Sequence, residues 1–312
     1  MSNMKATRDA YGEVLAELGA ENKDIVVLDA DLSGSTKTAV FRKQFPERFF
    51  NMGIAEANMV GTAAGLAAAG KIPFVSTFAI FAAGRAWEQI RQSVAYPKAN
   101  VKIVPTHGGI TVGEDGGSHQ SVEDIAIMRA IPNMTVMVPA DAVETRKAIR
   151  AAAEYKGPVY IRLGRNKVPA VFADDCYFEI GKGVEVVAGT DMTFVTTGLM
   201  TAQAVIAANL LKQEGISARV VHIATIKPLD QDIIVKAAEE TGAIVTAEEH
   251  SIIGGLGGAV AECLAEKHPT PVKRVGIHDR FGTSGKAEEL MKYFGLTPED
   301  LIEAAREVLT RK

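Results

Sequence analysis

The 312-residue chain is long enough for two domains of ordinary size, and 47% hydrophobic with 23% charged residues is the balance of a folded globular protein, not a disordered one. A formal net charge of -4, with both signs scattered along the chain, excludes a basic stripe for nucleic acid or a basic amphipathic surface for membranes.

Taken in chain order, Met1-Ser-Asn-Met-Lys-Ala-Thr-Arg-Asp lacks the apolar core of a signal peptide. Short apolar runs then alternate with amphipathic stretches of helical length, the pattern of a parallel α/β sheet. Strands are predicted at 25–28, 72–76, 101–105, 135–138 and 159–162, with helices at 8–18, 55–69, 84–94, 122–128 and 142–153. Ser121 followed by Asp124 reads as a capping arrangement for the fourth helix. The uncharged runs 57–70 and 72–84 are too short to span a bilayer. Periodicity weakens from Gly164, through Pro169, the Asp174-Asp175 pair and the Gly181-Lys-Gly183 turn, and 166–190 reads as a linker. Alternation resumes with strands at 193–196, 218–222, 243–247 and 272–275 and ends in a helix over 299–309. The fold class is therefore α/β, with two parallel-sheet domains at 1–165 and 191–312. Cys176 and Cys263 fit neither a metal spacing nor a disulfide framework, which agrees with a soluble, cytoplasmic protein.

Two segments carry the chemistry. Asn51-Met-Gly-Ile-Ala-Glu-Ala-Asn-Met-Val-Gly places Glu56 at the head of a helix of small apolar residues, with no further charge until Lys71. Such surroundings strip a carboxylate of solvation and suit proton exchange; complementing the helix dipole is the plainer alternative. The second segment, Thr106-His-Gly-Gly-Ile-Thr-Val-Gly-Glu-Asp-Gly-Gly-Ser-His-Gln-Ser, lies between a predicted strand and a predicted helix. Its glycines suggest a backbone bent for function.

In this order and at this separation, the Gly-Ile-Ala-Glu helix and the Gly-Glu-Asp-Gly-x-x-His-Gln loop resemble the pyrimidine-binding half of transketolase, a thiamin-diphosphate enzyme. The resemblance implies that Glu56 bonds the cofactor's pyrimidine ring and promotes the tautomer that acts as base, while the cofactor carries the hard chemistry. Ser76-Thr-Phe-Ala-Ile-Phe-Ala-Ala-Gly84 looks like the family's aromatic segment, so Phe78 and Phe81 should line the ring. Many family members have a third aromatic where this chain has Gly84, which implies a wider slot or one filled from elsewhere. Asp115 and His119 match positions that contact substrate hydroxyls, and His119 could steady a donor or intermediate oxygen. Arg8, Ser35, His107 and Arg165 match a clamp for the distal phosphate, for which paired guanidinium groups are suited. Asp31 matches a position near the cofactor and subunit interface.

The diphosphate half of the family site, Gly-Asp-Gly followed after about 25–30 residues by Asn, is a Mg²⁺-binding arrangement, and this chain has no Gly-Asp dipeptide. No metal ligand is assigned here. The resemblance implies a split transketolase of α2β2 form, with an N-terminal partner subunit supplying thiamin diphosphate's Mg²⁺ site, and sugar phosphates as substrates. A thiamin-dependent 2-oxoacid dehydrogenase beta subunit shares the two domains, but the His119 loop and the clamp argue against it. A deoxyxylulose phosphate synthase fragment shares much of the loop, but that enzyme is normally one longer chain. A non-catalytic scaffolding remnant is disfavoured by intact Glu56, His119 and clamp positions. Gly255-Leu-Gly257 would need Gly or Ala at position 260 to read as a dinucleotide fingerprint; Val260 stands there, so a Gly-rich turn opening a helix over 259–266 is expected.

Overall fold

A computed structural model describes residues 4–312, so the first three residues of the N-terminal segment lie outside it. Among the described residues no helix is long and apolar enough to cross a membrane. The first sheet has seven strands, in the order Thr225–Lys227, Thr135–Met137, Val159–Ile161, Lys102–Ile103, Ile72–Ser76, Ile25–Asp29 and Phe49–Asn51. All neighbours run parallel except Thr225–Lys227, which pairs antiparallel with Thr135–Met137. Ile25–Asp29 is buried along its whole length, as a strand covered on both faces must be. The second sheet has five strands, ordered Val272–Ile277, Ile244–Ser251, Met192–Thr196, Ala218–His222 and Val184–Val187, the last antiparallel. The expected α/β architecture with two mainly parallel sheets is therefore present. Within 166–190, Lys167–Pro169 pairs antiparallel with Met4–Ala6, and Val184–Val187 already belongs to the second sheet.

Two predicted helices need correction. The stretch expected at 84–94 forms Ala79–Arg85, then Trp87–Gln89, then a π-helical turn over Ile90–Ala95. Ala79, Ala82, Ala83, Ala86, Ile90 and Val94 recur three or four apart and are all buried, so helix begins where the apolar face begins. The π turn accommodates the widened register without losing that face. The helix expected at 122–128 is Asp124–Arg129, and Ser121 makes no side-chain cap. Instead the Ser121 carbonyl accepts from Arg162 Nη2 at 3.1 Å, and the Asp124 carboxylate accepts from Arg162 Nε at 2.9 and 3.1 Å and from the Tyr160 hydroxyl at 2.8 Å. A buried cation outcompetes the local cap.

The helix opened by the Gly-rich turn is Leu256–Lys267. Its first N–H groups, from Leu256 and Gly257, each donate at 2.7 Å to the Glu248 carboxylate. A Cβ on Gly255 would lie 2.0 Å from Glu248 Oε2, so this glycine permits a close approach of the chain's own anion. The positive end of the helix dipole is already occupied. At the chain's end, Thr297 and Asp300 cap Pro298–Leu309 reciprocally: the Asp300 carboxylate accepts from Thr297 N–H at 2.9 Å.

The halves share one apolar core, in which Val136 and Val138 meet Ile223, Ile226, Leu256 and Val260. Arg162, only 5% exposed, also donates to the Glu249 carbonyl at 3.0 Å, and Glu249 Oε1 accepts from Thr111 N–H at 2.7 Å. This ties the strand ends of both sheets to the loop that begins at Thr106.

Candidate active site

The helix Glu56–Ala68 begins at the carboxylate itself, and Glu56 is 4% exposed. Its spatial neighbour is not one that sequence distance reveals: Arg85 Nη1 donates to Glu56 Oε1 at 2.9 Å. Arg85 Cζ also lies 4.1 Å from the centroid of the Phe81 ring, a cation–π contact. Phe78 and Phe81 stack at 5.7 Å with only 13° between their planes. Phe78 in turn stacks on His107 at 3.8 Å, and His119 meets the edge of Phe81 at 5.4 Å. One continuous ribbon thus runs from Glu56 through Arg85, Phe81 and Phe78 to His107.

His107 is 2% exposed and has φ +60, a left-handed conformation uncommon for a side-chain-bearing residue. Burial first, then the charges of Arg8 and Arg165, lower its pKa to about 3. The ring is therefore neutral at physiological pH. Its Nε2 accepts from Arg8 Nη1 at 3.1 Å, and its Nδ1 lies 2.7 Å from Thr106 Oγ1, so the hydrogen-bond network assigns the ring proton to Nδ1.

Arg8 stands in the first turn of Thr7–Glu21 and donates a second bond from Nη1 to the Ser35 carbonyl at 3.0 Å. Ser35 thus meets Arg8 through its backbone. Asp29, at the end of its buried strand, fixes that backbone: its carboxylate accepts from Leu32 N–H at 2.6 Å and from the Thr36 and Thr38 hydroxyls at 2.7 and 2.9 Å. Burial lowers the Arg8 pKa most, Asp9 opposes this, and Arg165 adds to it. Arg165 is thus within electrostatic reach of both Arg8 and His107. It donates to the Val112 carbonyl and lies 3.5 Å from Asp115, at the end of the 3₁₀ turn Ile110–Asp115. A cleft of about 360 Å³ opens beside it, lined by Glu114, Arg165, Asn166 and Lys286 among others.

The loop turns on Gly113 and Gly116, on either side of Asp115, at φ +86 and +77. A Cβ on Gly116 would come 2.5 Å from Ser284 Oγ, so the second domain packs directly on this loop. Gln120 fastens the contact by donating to the Thr283 carbonyl at 2.9 Å. His119 bonds Ser118 Oγ through Nδ1 at 3.0 Å. Asp31, at φ +64, accepts from Asn51 Nδ2 at 2.8 Å. Arg85 and Asp29 are the site residues that sequence reasoning missed. An arginine just past the aromatic pair and an aspartate ending an apolar strand were the available signals.

A neutral imidazole, two guanidinium groups and a turn carbonyl lie at one end of an aromatic wall, with a buried carboxylate at the other. This arrangement can hold an anion, a flat ring and a proton donor in line. Family comparison agrees with the geometry. Residues 3–171 match the model of the transketolase pyrimidine binding domain, and 181–301 match that of the transketolase C-terminal domain. A chain provisionally named transketolase C-terminal section in Methanocaldococcus jannaschii is 56% identical over 311 residues, covering 99% of this chain and 98% of that one. A 6-deoxy-6-sulfo-D-fructose transketolase subunit from Clostridium sp. strain MSTE9 is 45% identical, covering 98% and 95% respectively. A solved structure described as a split-gene transketolase, an inactive β4 tetramer, superposes with a TM-score of 0.92 at 58% identity over 98% of both chains. The chain belongs to the transketolase family and carries that family's pyrimidine-binding and C-terminal domains.

Proposed function

We propose that this chain is the C-terminal subunit of a split transketolase, transferring a two-carbon ketol unit from a ketose to an aldose. The observation that carries the reading is the unbroken ribbon from Glu56 through the Phe78–Phe81 wall to the Arg8–His107 contact. The residues present fit thiamin diphosphate: a nearly parallel aromatic pair suits its ring, and Glu56 keeps Oε2 unbonded by protein among the described residues. When bound, the cofactor supplies the carbon that carries the two-carbon unit. Phe78 and Phe81 would exclude water from its ring, and Glu56 Oε2 would accept a ring N–H and hold that proton. Asp31 would stand near the cofactor at the subunit interface.

His119, against the Phe81 edge, would bond the donor oxygen, with Asp115 on a neighbouring hydroxyl. Arg8 and Arg165 would grip the distal anion, a phosphate or the similarly shaped sulfonate, while His107 Nε2 and the Ser35 carbonyl hold the Arg8 guanidinium. In this reading residues 1–165 carry the site, 166–190 connect, and 191–312 buttress the substrate loop. The diphosphate and its Mg²⁺ would be held by an N-terminal partner subunit in a cytoplasmic α2β2 assembly.

The test is reconstitution. The purified chain alone should show no ketol transfer, and addition of a partner containing the Gly-Asp-Gly motif should restore it. Full transfer by the single chain would sink the split-enzyme reading. A second measurement addresses the clamp. Arg165→Ala removes a charge-assisted contact worth about 1.5–3 kcal/mol, which is roughly tenfold to over a hundredfold in affinity. The loss should appear in KM for phosphorylated or sulfonated donors and largely spare hydroxypyruvate. Equal losses for phosphorylated or sulfonated donors and for hydroxypyruvate would rule the clamp out.

A further inference from the structure

Arg85 ends the helix Ala79–Arg85, beside Gly84, where an added Cβ would meet nothing within 4 Å. The wall formed by Phe78 and Phe81 therefore has no packed side chain at position 84. The Arg85 guanidinium stands over Phe81, its Cζ 4.1 Å from the ring centroid, while bonding Glu56 Oε1 at 2.9 Å. The pair is asymmetric: the Glu56 side chain is 4% exposed and that of Arg85 is 51% exposed, so the anion is fixed and the cation stands at the mouth. A carboxylate held through one oxygen loses its rotational freedom and keeps the other oxygen as a directed acceptor. A guanidinium can cover an aromatic face and donate in its own plane together; an ammonium cannot.

We propose that Arg85 is a positioning residue for Glu56, and that its guanidinium closes the slot where Gly84 provides no side chain. The Arg85–Glu56 pair then selects a flat heteroaromatic ring that presents an N–H donor to Oε2. This inference rests on the role given to Glu56 above.

The experiment is a double-mutant cycle in the reconstituted complex, read by calorimetric titration with thiamin diphosphate. Arg85→Met should weaken cofactor binding about tenfold. Arg85→Lys, which keeps the charge but not the plane, should give an intermediate loss. In a Glu56→Gln background the Arg85→Met loss should shrink to about twofold or less, because Arg85 acts through the carboxylate. An equal loss in both backgrounds, or no loss on Arg85→Met, would overturn the positioning role. Wild-type affinity in Arg85→Lys would overturn the part played by the plane. Failure of the Glu56 assignment is read separately, as near-normal turnover in Glu56→Gln alone.

Discussion

Glu56→Gln in the reconstituted complex should lower kcat by about 10²–10⁴-fold, the usual cost of losing a positioned acid–base group. The change preserves shape, so the ring slot should persist while the proton-holding oxygen is lost. Protein stability should hardly move. The one partner of the Glu56 carboxylate among the described residues, Arg85, is half exposed, and ion pairs with an exposed member contribute about 1 kcal/mol or less. Steady-state kinetics alongside a thermal melt of the same samples makes the check. Normal turnover would return Glu56 to a helix-capping role, and a large drop in melting midpoint would make it structural.

Arg162→Met should have the largest effect on folding. It removes the donors to the Asp124 carboxylate and to the Ser121 and Glu249 carbonyls, leaving Asp124 fully buried with the Tyr160 hydroxyl as its one side-chain donor among the described residues. Breaking a buried pair from one side costs about 3–5 kcal/mol, because the remaining charge has no compensation. Glu249 belongs to the second sheet and Asp124 to the first half, so both should lose stability in one shared transition. Arg162→Lys should recover little, since a single ammonium cannot span three separate acceptors. A urea midpoint unchanged from wild type would contradict this account.

Much of the fold was legible because it depends on local pattern. The apolar strands and the amphipathic helices between them announce a parallel sheet wherever the run is long enough. Some short elements were not legible: Phe49–Asn51 and Thr225–Lys227 are three residues each and gain their place from ladder partners. Ser121 illustrates a different limit. Its spacing to Asp124 is that of a cap, but Arg162 lies 41 residues away from Ser121 in sequence and claims its carbonyl. The site shows the same division. Glu56, the aromatic pair and the His107 loop stand in compact motifs, whereas Arg85 bonds a carboxylate 29 residues earlier, a pairing only the tertiary fold creates. Ser35 was legible as a position but not as a chemistry, because its carbonyl makes the contact, held in place by Asp29.

The strand Thr225–Lys227 has a consequence for how this protein can be divided or recombined. It lies well inside the second domain's sequence, yet it completes the first domain's sheet by pairing with Thr135–Met137. A fragment cut after the pyrimidine-binding domain would leave a row of unpaired backbone donors and acceptors at that margin, an open template for self-association. A chimera that exchanges the C-terminal domain between relatives likewise imports the strip that seals its neighbour. The unit that can be transplanted is therefore the whole two-domain body, even though family boundaries fall between its halves.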